Sequence, residues 1–92
     1  MKNSTFKVIR GGLAITYEYY EVEGLKPVDK MPANVFRVCK SEEGLWYENS
    51  TPDGEWVMDN ELVRYFAGYA DGAIRISKKR ADAFMAYLKR EV

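Results

Sequence analysis

The chain has 92 residues, 47% of them hydrophobic and 14% aromatic, with 14 basic and 14 acidic side chains and no histidine. That length accommodates one core, so residues 1–92 read as a single domain, and that apolar content excludes a disordered chain. Zero formal net charge argues against general electrostatic attachment to nucleic acid or to an anionic membrane.

The missing histidine removes the commonest general base near neutral pH and the commonest metal ligand. Cys39 is the sole cysteine, so no internal disulfide forms, no structural zinc site is expected, and a reducing, cytoplasmic setting is the natural one. Lys7, Arg10 and Gly11-Gly12 interrupt residues 1–16, so no signal-peptide core is expected there. No apolar run approaches the roughly 20 residues of a membrane span.

Residues 5–10 read as a strand, with Phe6 and Val8 on one face and Ile9 on the other. Gly11-Gly12 predicts a tight hairpin. It leads into a strand over residues 13–22, where Leu13, Ile15, Tyr17 and Tyr19 alternate against Ala14, Thr16, Glu18 and Tyr20. Residues 23–34 contain Gly24, Pro27 and Pro32 and form a loop of a length that often carries function. Residues 35–40 are a third strand, with Val35, Arg37 and Cys39 opposed to Phe36 and Val38.

Next come strands at 45–49 and 55–58 around Thr51-Pro52-Asp53-Gly54. Proline presets one turn angle and glycine admits positive φ, which together predict a type I turn closed by a glycine bulge. Pairing Ser50 with Trp56 then places Trp46, Trp56 and Met58 on one face and Leu45, Tyr47 and Val57 on the other. Asp59 or Asn60 is a good N-cap for a helix over 60–69, whose stripe is Leu62, Tyr65, Phe66 and Tyr69. A short strand at 73–76 precedes a helix over 78–90, capped by Ser77, with Ala81, Phe84, Met85 and Leu88 as its apolar stripe. The pattern predicts an α+β fold: an antiparallel sheet of five to six strands with two helices packed on it.

The charges are unevenly placed. Residues 41–74 hold Arg64 against eight acids, a balance of −7; residues 1–40 carry +3 (seven basic, four acidic) and residues 75–92 carry +4 (six basic, two acidic). Five of the acids, Glu42, Glu43, Glu48, Asp53 and Glu55, gather around the central hairpin and predict an acidic face for a basic partner surface. Such complementarity governs encounter and partner choice more than affinity. Arg75, Ser77, Lys78, Lys79 and Arg80 form the opposite candidate. Cations in the first turn of a helix oppose its dipole, and a chain that keeps them there has a potential anion site.

Chemistry has little to work with. Cys39 sits in a strand without a histidine partner, and no catalytic residue, cofactor site or metal site is expected. The aromatic set Tyr17, Tyr19, Tyr20, Trp46, Tyr47 and Trp56 suits a core better than a base-stacking platform, because Glu18, Glu21 and Glu48 are its neighbours. The expected function is a small non-enzymatic protein-binding module, an inhibitor or adaptor of the kind bacteria and their mobile elements make. An inhibitor of a host nucleic-acid machine, of the anti-CRISPR type, suits an acidic face by analogy. Direct contact with nucleic acid or phosphate through Arg75, Lys78, Lys79, Arg80, Lys89 and Arg90 is the alternative, and a homodimer through an exposed strand edge at 73–76 is a third possibility. No membrane partner is expected.

Overall fold

A computed structural model describes residues 6–22, 31–32, 34–68 and 72–90. Strands β1 (Phe6–Arg10) and β2 (Leu13–Val22) form a hairpin in which Arg10 faces Leu13. Its link, Gly11 and Gly12, has φ of 57° and 78°. Two successive positive φ angles are what a two-residue hairpin needs to match the strand twist, and glycine supplies them without a Cβ clash. The meander continues through β3 (Val35–Ser41), β4 (Gly44–Ser50) and β5 (Trp56–Met58), and β6 (Ala73–Ile76) returns to pair with β2. All these pairings are antiparallel. Strand β2 meets β3 along one edge, over Thr16–Glu21. Its other edge is shared by β1, over Leu13–Tyr17, and β6, over Tyr19–Val22. Strands β1 and β6 therefore lie end to end.

With alternation every second residue, this register sorts the side chains onto two faces. Ile15, Tyr17 and Tyr19 of β2 line up with Val35, Arg37 and Cys39 of β3 on the inner face. Helix α1 (Lys78–Arg90) covers that face: Ala81, Phe84 and Met85 are buried in one cluster with Ile15, Tyr17, Tyr19, Val35, Cys39 and Ile76. The helix starts where the sequence expects, because the Ser77 hydroxyl accepts the Arg80 amide at 3.2 Å. On the outer face Val22, Phe36 and Leu62 form a second, smaller cluster beside Tyr20, Tyr47 and Tyr65. Five successive residues of β3, Val35 to Cys39, are buried, as befits a strand covered on both sides. The chain is thus α+β, built on an antiparallel sheet.

The central hairpin has the expected turn. Gly54 N–H donates to Thr51 O at 3.0 Å, Thr51 N–H donates to Glu55 O at 2.8 Å, and Ser50 pairs with Trp56. Trp46, Trp56 and Met58 accordingly share the inner side, and Leu45, Tyr47 and Val57 the outer.

The segment expected as a helix over 60–69 is instead a short 3-10 helix, Asn60–Tyr65, followed by turn residues up to Gly68. Val63, Tyr65 and Phe66 lose side-chain freedom in an α-helix, so propensity there is low. The start of the segment is also pinned to the edge of β4: Asp59 N–H donates to Tyr47 O at 2.8 Å, and Tyr47 N–H donates to Asn60 Oδ1 at 3.2 Å. Leu62 is buried, but Phe66, placed in the expected buried stripe, is 45% exposed. Tyr69 and most of the 23–34 loop lie outside the described residues. Among the described residues no helix is long and apolar enough to cross a membrane.

Gly54 joins the two halves of the fold. It is buried with φ of 84°, and a Cβ there would fall 2.6 Å from Lys89 Cγ and 2.9 Å from Met85 O. Gly54→Ala should lower the unfolding free energy by about 1–3 kcal/mol, through positive-φ strain and overpacking, with an unchanged denaturant slope. Urea titration checks this; a wild-type midpoint would mean that the turn does not bear on the helix.

Candidate functional site

The five acids expected to share a face are separated by the fold. Glu48 points to the inner side, where its Oε1 accepts from Arg37 Nε at 2.7 Å and lies 2.6 Å from Arg37 Nη2. Its Oε2 accepts from the Trp46 indole at 3.0 Å. The Arg37 guanidinium is held between two rings, 4.1 Å from the centre of Tyr17 and 4.3 Å from that of Trp56. Arg37 is 8% exposed and the Glu48 side chain 16%. Glu48 is therefore a structural ion-pair partner and not part of an exposed acidic face.

Glu42 and Glu43 are exposed at the β3–β4 turn, whereas Asp53 and Glu55 stand at the β4–β5 turn. At about 3.4 Å per residue, β4 sets these two pairs roughly 20 Å apart. Asp53 accepts from the Thr51 hydroxyl, and Glu55 lies 3.7 Å from Lys89 Nζ. Two of the five acids thus serve the turn and its contact with α1.

The basic candidates are dispersed as well. Ser77 Oγ is occupied in capping α1. Lys78 pairs with Asp82 at 2.5 Å and Arg80 with Glu21 at 2.7 Å, while Lys79 is exposed. Arg75 pairs in register with Tyr20, on the outer face, with its guanidinium 5.8 Å from the Tyr20 ring centre. The helix start lies on the other side of the sheet, so Arg75 and the lysines do not converge.

What the fold assembles instead is a cleft on the outer face, beside the 3-10 helix. Its volume is about 320 Å³, and its lining is Glu18, Tyr20, Val38, Lys40, Leu45, Tyr47 and Phe66. Phe66 stacks on Tyr47 with ring centres 5.7 Å apart and meets Tyr20 edge-on at 5.2 Å. Tyr20 in turn stacks on the fully buried Phe36 at 5.4 Å. These contacts make a rigid aromatic floor. One wall is polar and already paired: Lys40 Nζ lies 2.9 Å from Glu18 Oε2, and the Tyr20 hydroxyl donates to Glu18 Oε1 at 3.2 Å. Burial alone would raise the Glu18 carboxyl, but Lys40, Arg75 and the Tyr20 hydroxyl outweigh it and hold it below its ordinary 4.5. Leu45, 51% exposed, and Phe66 stand at the mouth. Strand alternation placed Leu45, Tyr47, Val38 and Tyr20 on one side. The strand register that joins these faces, and the exposure of Phe66, expected in a buried stripe, were not readable from the sequence.

The geometry offers few reactive groups. Cys39 is fully buried, and chiefly through that burial its thiol is pushed up to about 12, which leaves it unreactive. Among the described residues no group of three or more His, Cys, Asp or Glu side chains is placed to hold a metal ion.

The inner pair has a measurable consequence. Burial raises the Glu48 carboxyl, but the Trp46 and Arg37 hydrogen bonds and the Arg37 charge more than reverse this, leaving it below its ordinary 4.5. A carboxyl with a lowered folded pKa stabilises the fold above its ordinary value, and that contribution fades as pH falls through the lowered one. Glu48→Gln leaves the buried Arg37 charge uncompensated and should cost about 3–5 kcal/mol at neutral pH. It should also make the loss of stability below about pH 5 shallower than in the wild type. Chemical denaturation across pH reads both effects. Comparison of the chain with protein-family models, curated proteins and solved structures found no match.

Proposed function

We propose that the protein is a non-enzymatic protein-binding module, of the inhibitor or adaptor kind, that docks through the outer-face cleft. The observation that carries this reading is the position of Leu45 and Phe66. Two large apolar side chains stand about half exposed over an aromatic floor, next to an ion pair that needs no further partner. Large apolar groups gathered in one exposed patch mark interaction surfaces, and ordered aromatic anchors supply most of the energy in such contacts. The preference for a basic partner surface, expected from five acids, is supported by Glu42 and Glu43, which project at the turn following Lys40.

A cytoplasmic setting fits a buried, unpaired Cys39 thiol. The nucleic-acid reading draws less support, because Lys78 and Arg80 are engaged by Asp82 and Glu21.

The test uses two charge substitutions at exposed positions. Leu45→Asp should reduce capture of the bound protein from a native extract by at least about tenfold, with a stability change under about 1 kcal/mol. Ala86→Asp, on the exposed side of α1, should leave capture unchanged. Equal capture by wild type and Leu45→Asp would remove the cleft from the interface.

A further inference from the structure

The turn that bears on α1 contains the dipeptide Asp53-Gly54, an aspartyl carboxyl followed by an amide nitrogen with no side chain beside it. Glycine leaves that nitrogen free to approach and attack the carboxyl. The Gly54 nitrogen then bonds to Asp53 Cγ, its proton and the carboxyl hydroxyl leave as water, and a five-membered succinimide forms. Water opens the ring at either carbonyl. One opening restores aspartate; the other leaves isoaspartate, with the main chain routed through the former side chain. We infer that Asp53-Gly54 is such a modification site, kept latent in the folded chain by Thr51 and exposed to reaction when the turn opens.

The folded turn withholds both reacting groups. Gly54 N–H donates to Thr51 O at 3.0 Å, and in a turn closed by this bond, of type I or II, the third residue has ψ of about 0°. At that angle the Gly54 nitrogen is turned toward the Asp53 nitrogen and away from Asp53 Cβ. Ring closure therefore requires ψ to swing away and the bond to Thr51 to break. The Asp53 carboxylate is engaged as well, because the Thr51 hydroxyl donates to its Oδ1. The same hydroxyl accepts from Glu55 N–H at 2.9 Å. Asp53 is exposed, so water reaches the ring once it forms.

The product does not fit where the aspartate stood. Isoaspartate adds a methylene to the main chain and hangs a carboxylate on it, next to a buried glycine where even a Cβ would meet Met85 O and Lys89 Cγ. Isomerisation thus frees the hairpin from α1.

Ageing the full chain near neutral pH, in water enriched in heavy oxygen, tests this. Each ring opening leaves one heavy oxygen at residue 53, whichever product forms. Trypsin in ordinary water then separates peptide 41–64 from peptide 65–75, which carries the second such pair, Asp71-Gly72, and fragmentation places the label at residue 53. Uptake in the folded wild type should be at least about tenfold slower than in the urea-unfolded chain. Thr51→Val, which keeps the shape and removes the hydroxyl, should speed uptake about tenfold without urea, the scale set by a hydrogen bond to a charged group. Thr51→Ser, which keeps the hydroxyl, should stay within about twofold of the wild type. Chain carrying isoaspartate at residue 53, isolated by chromatography, should unfold at lower urea than fresh chain.

Equal uptake in folded and unfolded wild type would overturn the inference without any variant, as would no uptake at residue 53 in the unfolded chain. Thr51→Val no faster than the wild type, or no faster than Thr51→Ser, would remove Thr51 as the latch. A wild-type urea midpoint for the isoaspartate form would overturn the release of the hairpin from α1.

Discussion

The ion pair between Arg37 and Glu48, clamped by the Tyr17 and Trp56 rings, sets the register on which the rest of the sheet depends. A buried pair of this kind adds little net stability over well-packed apolar residues, but separating its members is costly. Its value is therefore in what it forbids. Arg37 and Glu48 face one another across β3 and β4, Tyr17 comes from β2 and Trp56 from β5. A slip of one residue in any of these pairings would turn a member of the set to the opposite face. Side chains from four strands thus meet at a single guanidinium.

That register also decides what the outer face displays. With Arg37 and Cys39 turned inward, Phe36 and Val38 must face outward, and Tyr47 and Leu45 follow on β4. The inner face has a 13-residue helix to cover it, clasped at its far end by the turn at Gly54. The outer face has only the six residues of the 3-10 helix, which is too little to bury the aromatic row beneath. Leu62 closes part of that surface, and Phe66 covers Tyr20 and Tyr47 while remaining half exposed itself. The cleft is the remainder left by unequal coverage of the two faces.

Much of this was legible in the sequence where the cause is local. Alternation of polar and apolar residues assigned both faces of β2 and β3, and Gly11-Gly12 and Pro52-Asp53-Gly54 announced their turns because the required backbone angles are properties of those residues. Ser77 and the Ala81–Phe84–Met85 stripe did the same for α1. Legibility ended where tertiary contact decides. The spacing of Leu62, Tyr65 and Phe66 suits an α-helix, yet the hydrogen bonds by which Asp59 donates to Tyr47 and Asn60 accepts from it fix the segment as a tighter turn. The acids around the hairpin are neighbours in sequence and strangers in space, because β4 carries Glu43 and Asp53 to opposite ends of the sheet. Glu48 could not be told from its neighbours without knowing that Arg37 stands across from it.

The charge asymmetry along the chain acquires a different meaning from these contacts. Among the described residues the acidic middle and the basic ends meet at two points in the fold, and a third pair joins the two basic ends. Arg37 reaches Glu48, Lys89 reaches Glu55, and Arg80 at the start of α1 reaches Glu21 on β2. Exposed pairs such as Lys89–Glu55 contribute little stability, and their effect is to tie a cation of one segment to an acid of another. On the outer face, Leu45 and Phe66 stay about half exposed beside the aromatic row.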